Sequence, residues 1–173
     1  MSTEGVSIRA LAPPDEPFLL EMVREADHWR LPPDAPRPPL DEVLADPHVR
    51  LYVEDWGRAG DDGVIAEVAG APVGACWLRV FDEEMHGWGF VAPEVPELSI
   101  AVAPQWRRRG IGGRLLAAAV ARAQHLGHPA VSLSVMPENS VARELYLRAG
   151  FRQVAVIDGS WTMTLPLPAD AAG

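Results

Sequence analysis

Hydrophobic and polar residues change period several times along this chain, and each change predicts an element. "VSIRAL", residues 6–11, reads as a short first strand. "PPDEPFLLEMVREADHW" follows as a helix, with proline and acids in its first turn and Phe18, Leu19 and Met22 on its apolar side. Five prolines then fall within "RLPPDAPRPPL", which excludes a regular ladder. A surface loop over residues 31–41, a lid or a wall on the substrate side, is expected there. "DEVLADPHVRLYVEDWG" begins with a short helix, and "RAGDDG" turns into two strands, "VIAEVA" and "APVGACWLRVF", joined at Gly70 and Pro72. "DEEMHGWGFVAPEVP" keeps no period and is expected to line a site.

From Glu97 onward the signal sharpens. "ELSIAV" alternates, with Leu98, Ile100 and Val102 on one face and Glu97, Ser99 and Ala101 on the other, until Pro104 ends it. Leu115, Leu116, Ala119, Val120, Ala123 and Leu126 recur at helical spacing, and Gly127 with Pro129 stops that helix. "AVSLSV" alternates as another strand. Asn139 or Ser140 caps a helix over "VARELYLRA", closed by Gly150 with Phe151 just beyond. "VAVIDGSWTMTL" reads as two strands around an Asp-Gly turn.

Length and composition narrow what such a chain can be. With 173 residues it suits one domain, 1–173, able to bury a core. Asp and Glu number 24 against 15 Lys and Arg, a net charge of -9, so the overall field disfavours nucleic acid and anionic membranes as partners. Cys76 is the lone cysteine and sits in an apolar run, which predicts a buried thiol and no disulfide framework. No basic leader and no 18-residue apolar run occurs, so a soluble, cytoplasmic protein is expected. His28, His48, His125 and His128 lack ligand spacing, and no metal is expected.

Against that acidic background "QWRRRGIGGRLL" stands out. A basic nucleic-acid patch needs a longer basic run than Arg107, Arg108 and Arg109. A dinucleotide fingerprint fails because Leu115 stands where its third glycine belongs, and no G-K-S/T follows for a phosphate-binding P-loop. A pyrophosphate seat built from backbone fits better: a strand ends at Val102, a short loop turns, and the amides of residues 107–113 gather at a helix start. Glycines that merely shape a tight turn are the alternative.

"ELSIAVAPQWRRRGIGGRLL", with R/Q-x-x-G-x-G/A matched by Arg107, Gly110 and Gly112, and "NSVARELYLRAGFRQV" downstream together resemble the GNAT superfamily of N-acetyltransferases over roughly residues 95–155. The resemblance implies a single α/β domain with a mixed, twisted sheet of six to seven strands and helices on both faces. It also implies an acetyl-CoA site. Pyrophosphate would sit on Arg107, Arg108, Arg109, Gly110, Ile111, Gly112 and Gly113, and pantetheine would run along Ile100, Ala101 and Val102. "ELSIAV" and "AVSLSV" would splay apart to admit the thioester. In the same resemblance Asn139 and Ala142 touch the cofactor, and Tyr146 protonates the departing thiolate.

Acetyl transfer needs a neutral amine and a proton for the leaving thiolate. Asn139 and Tyr146 are two helical turns apart and share a face. For the base, Glu97 is the first candidate and Glu94 the second. The acids Asp82, Glu83 and Glu84, with His86, Trp88 and Phe90, suggest a cationic acceptor, either a small amine or a protein amine. The alternative function is a silent CoA-binding sensor. The sequence leaves the acceptor and a homodimer open.

Overall fold

A computed structural model describes residues 5–169. Seven strands make one sheet: β1 (Val6–Ala10), β2 (Asp62–Val68), β3 (Ala71–Arg79), β4 (Glu97–Val102), β5 (Ala130–Val135), β6 (Arg152–Ile157) and β7 (Ser160–Pro166), in the order β1-β2-β3-β4-β5-β7-β6. Every neighbouring pair is antiparallel except β4 and β5, so the sheet is mixed. Five α-helices accompany it: α1 (Glu16–Asp27), α2 (Leu40–Leu44), α3 (Pro47–Arg50), α4 (Ile111–His125) and α5 (Ser140–Arg148). Among the described residues no helix is long and apolar enough to cross a membrane.

The alternation of the strands sorts the helices onto two faces. Ile65, Ala75, Trp77 and Ala101 point to one side, where Leu19, Met22 and Val23 of α1 cover them with Val43 and Val49. Val64, Ala66, Cys76 and Leu98 point to the other, beneath Ile111, Leu115, Leu116, Ala119 and Ala123 of α4 and Tyr146 of α5. Leu115 and Leu116 are fully buried, and each such side chain contributes about 2 kcal/mol of hydrophobic stabilisation. Cys76 is buried as its apolar run predicts.

Boundaries differ from the sequence reading where backbone geometry overrides side-chain spacing. α4 starts at Ile111, four residues before its first periodic leucine, because Gly110 takes a left-handed conformation (φ 78°) that turns the loop directly into the helix. α1 stops at Asp27, and the prolines keep residues 28–39 irregular.

The sheet is split at its centre. β4 and β5 share one register pair, Glu97 with Ser132, strengthened by the Ser132 amide donating to the Pro96 carbonyl at 3.0 Å. Beyond that point the strands part. Arg79, fully buried at the end of β3, donates to the Leu51 and Glu54 carbonyls at 2.8 Å each and forms a two-pronged pair with Asp61. Those bonds pin the turn after α3 against the sheet beside the opening, and that turn carries Tyr52.

Candidate active site

The gap between β4 and β5 opens into a cleft of about 1230 Å³. Its lining includes Glu97, Ile100, Ala101 and Val102 from β4, Arg107, Arg108 and residues 110–113 from the loop and first turn of α4, and Asn139, Ala142 and Tyr146 around α5. The cleft therefore brings together the predicted cofactor residues, Glu97 and Tyr146, but not Arg109 or the second base candidate Glu94. Arg109 is exposed and lies with its guanidinium 4.8 Å from the centre of the Trp106 ring.

The α4 end of the cleft is where the sequence places the anion seat. No side chain caps this helix start, so the amides of its first turn keep their partial positive charge and have no intrahelical acceptor. A Cβ added at Gly112 would meet only the Leu145 side chain at 3.5 Å, an ordinary contact. The protein's own packing thus does not require that glycine, and the space is left to whatever approaches the amides. A diphosphate fits these residues. The Arg107 guanidinium is already engaged: Nε donates to the Val102 carbonyl at 3.0 Å and Nη2 to Glu25 Oε2 at 2.8 Å. Arg108 lines the cleft with a left-handed backbone, φ 62°.

On α5, Asn139 caps the helix, its Oδ1 accepting from the Ala142 amide at 3.3 Å. Tyr146 is buried, its ring 5.9 Å from that of Phe151. Its hydroxyl makes no hydrogen bond among the described residues. Burial, with the Cys76 thiol nearby, pushes the phenol above its ordinary value.

Glu97 occupies the other end, where the strands part. It is 3% exposed, and its Oε1 accepts from the Tyr52 hydroxyl at 2.6 Å and the Gly89 amide at 2.9 Å. Its Oε2 is buried with no partner. Burial outweighs both hydrogen bonds and the nearby His86 and pushes this carboxyl up to about 7. Tyr52 is itself held. Its hydroxyl accepts from the Trp88 amide at 3.0 Å, its carbonyl from Trp77 Nε1 at 3.2 Å, and its ring stacks on Trp88 with centroids 6.3 Å apart. The glycines of "HGWGF" make this approach possible. A Cβ at Gly87 would fall 2.1 Å from the Tyr52 hydroxyl, and one at Gly89 would fall 2.6 Å from the Leu133 backbone.

Tyr52 and Glu25 were not found from the sequence. Tyr52 stands 45 residues before Glu97 in a stretch without period. Glu25, by contrast, left a signal, a charge on the apolar stripe of α1. The acidic segment behaves differently from expectation. Asp82, Glu83 and Glu84 are exposed and do not line the cleft; Asp82 accepts from the Glu84 and Met85 amides and so shapes its own turn. Trp88 is the residue of that segment that reaches the cleft. Glu94 is also exposed and outside the lining, because the chain enters β4 only at Glu97.

A sequence model of the Acetyltransferase (GNAT) family matches residues 20–151. Over 117 residues the chain is 35% identical to an uncharacterized N-acetyltransferase of Methanocaldococcus jannaschii, a match covering 64% of this chain and 48% of that protein. It is 30% identical over 153 residues to a mycothiol acetyltransferase of Sanguibacter keddieii, covering 88% of this chain and 45% of that one. The chain spans about half the length of these two relatives. In fold it resembles a phosphinothricin acetyltransferase from Sinorhizobium meliloti, solved with acetyl-CoA, at a TM-score of 0.68 and 21% identity over 98% of this chain and 92% of that one.

Proposed function

The chain belongs to the GNAT family of acetyltransferases, and we propose that it transfers an acetyl group from acetyl-CoA to a primary amine by direct attack, both substrates sharing the cleft. One observation carries this reading: the uncapped, glycine-lined start of α4 opens into the same cleft as a buried glutamate with a free oxygen and a tyrosine with an unbonded hydroxyl. Acetyl-CoA, when bound, supplies the activated acetyl thioester. The amides of Ile111, Gly112 and Gly113 hold its diphosphate, and Ile100, Ala101 and Val102 flank its arm.

Glu97 is the base. An ammonium near pKa 10.4 lies about six units above an ordinary glutamate, and raising Glu97 to about 7 removes roughly 3 kcal/mol of that gap. Oε1 is tied to Tyr52 and Gly89, so Oε2 receives the proton. Tyr146 returns a proton to the sulfur as the C–S bond breaks. Its raised pKa does not forbid this, because the dry surroundings that raise a phenol raise a thiol as well, and only their difference sets the cost.

An amine panel assayed for free thiol in the presence of acetyl-CoA tests the reading, with Tyr146→Phe beside the parent. Turnover in the variant is expected to fall about a hundredfold, with acetyl-CoA affinity nearly unchanged. A parent protein that binds acetyl-CoA yet releases no thiol with any amine would refute the transfer activity, and equal turnover in the two proteins would remove Tyr146 from the mechanism.

A further inference from the structure

Glu25 has no part in the chemistry above, yet it is 5% exposed and saturated with charged partners. Its Oε1 accepts from Arg37 Nε at 2.8 Å, and its Oε2 accepts from Arg37 Nη2 at 3.1 Å and from Arg107 Nη2 at 2.8 Å. Each guanidinium has a second task. Arg37 Nη1 donates to the Pro32 carbonyl at 2.9 Å and the Ala35 carbonyl at 2.7 Å, which ties the proline-rich segment from inside. Arg107 Nε holds the last carbonyl of β4 at Val102. Three segments therefore converge on one carboxylate: the last turn of α1, the proline-rich segment, and the loop that presents the anion seat.

A segment with five prolines in eleven residues has few amides with which to fasten itself, so side chains tie it to α1: Arg37 to Glu25, and Arg24 Nη1 to the Pro38 carbonyl at 3.4 Å. Pro33 of that segment lines the same cleft as Arg107. Charge-assisted, two-pronged bonds at 2.8 and 3.1 Å are among the stronger polar contacts, and removing one partner of such a buried set leaves the rest unbalanced.

We propose that Glu25 is a positioning residue that couples the coenzyme seat to the proline-rich wall of the cleft, so that binding at one alters the other. The inference rests on the acetyltransferase reading only in taking CoA as the ligand of the seat. By reciprocity, whatever Arg37 contributes to the affinity for CoA, bound CoA returns to the anchoring of the segment.

Arg37 does not line the cleft, which makes it the diagnostic position. Titration calorimetry with CoA is expected to show affinity about tenfold weaker in Arg37→Ala, partly recovered in Arg37→Lys. The effects of Arg37→Ala and Arg107→Ala are expected to be less than additive, since both act through Glu25. In the parent protein, saturating CoA is expected to slow amide hydrogen exchange in the peptide over residues 29–40, a measurement that does not depend on any variant folding. Parent-like CoA affinity in a folded Arg37→Ala protein, or exchange over 29–40 that ignores CoA, overturns the coupling while leaving the acetyltransferase reading intact. A parent protein that does not bind CoA overturns both.

Discussion

Glu97 should make the stability of this protein depend on pH in a way that one substitution removes. The carboxyl is 3% exposed and its pKa is raised by burial to about 7, whereas in the unfolded chain it returns to about 4.5. Between those values the folded protein binds the proton more tightly than the unfolded chain. The stabilisation is therefore fully present below pH 4.5 and is lost as pH rises through 7. At 1.36 kcal/mol per unit the total is about 3 kcal/mol, a large share of a domain's net stability. Urea unfolding of the parent and of Glu97→Gln, measured from pH 5 to 8.5, reads it directly. The parent should lose about 2.5 kcal/mol more than the variant across that range, the rest having gone below pH 5. Glutamine places an N–H where Oε2 has no partner, a cost that shifts its curve without tilting it. Other perturbed groups cancel. Cys76 and Tyr146 are pushed up and stay neutral in this window, and Asp15, held down by Arg9, stays ionised in both proteins. Parallel curves for parent and variant would show that Glu97 titrates as an ordinary carboxylate and would remove the physical basis for its role as base.

Four further substitutions test the same geometry. Tyr52→Phe deletes the donor that favours the ionised form of Glu97, so the acid limb of the kcat/KM profile should move up by about one unit; an unmoved limb would show that the phenol does not act on the carboxylate. At the anion seat, Gly112→Ala should leave Tm unchanged or slightly higher, since alanine favours a helix by about 0.5–1 kcal/mol, while CoA affinity falls because the methyl enters the space beside the amides. Gly110→Ala should lower both, its φ of 78° costing about 1–2 kcal/mol, and a Gly112→Ala protein with parent affinity would place the diphosphate elsewhere. Gly89→Ala should destabilise by about 1–3 kcal/mol, read as a lower urea midpoint, because its Cβ would lie 2.6 Å from the Leu133 carbonyl carbon and 2.7 Å from Glu97 Oε1; a parent-like midpoint would mean that the strands at the split yield easily.

What could be read in advance depended on how local the cause was. Two-residue alternation fixed the faces of β4, because Leu98 and Glu97 must point opposite ways whatever covers them. The proposed anion seat rests on equally local features: a strand end, a glycine and a helix start lie within ten residues. The state of Glu97 was not, because a glutamate at a strand start is ordinary until something buries it. What buries it is Tyr52, placed by a turn that Arg79 pins, together with a collar whose two glycines earn their place only once Tyr52 and the Leu133 backbone lie beside them. Arg107 shows the limit from the other side. Its spacing to Gly110 and Gly112 suggested a phosphate ligand, yet its side chain turns away to a carboxylate 82 residues earlier. The clue lay on α1, where Phe18 and Met22 follow one helical stripe and Glu25 interrupts it. An unexplained charge on an apolar stripe is costly unless paired, so it announces that a cation must arrive from elsewhere in the chain. The sequence shows that such a partner is needed, and only the folded chain shows that two arginines supply it, one from the proline-rich segment and one from the loop before α4.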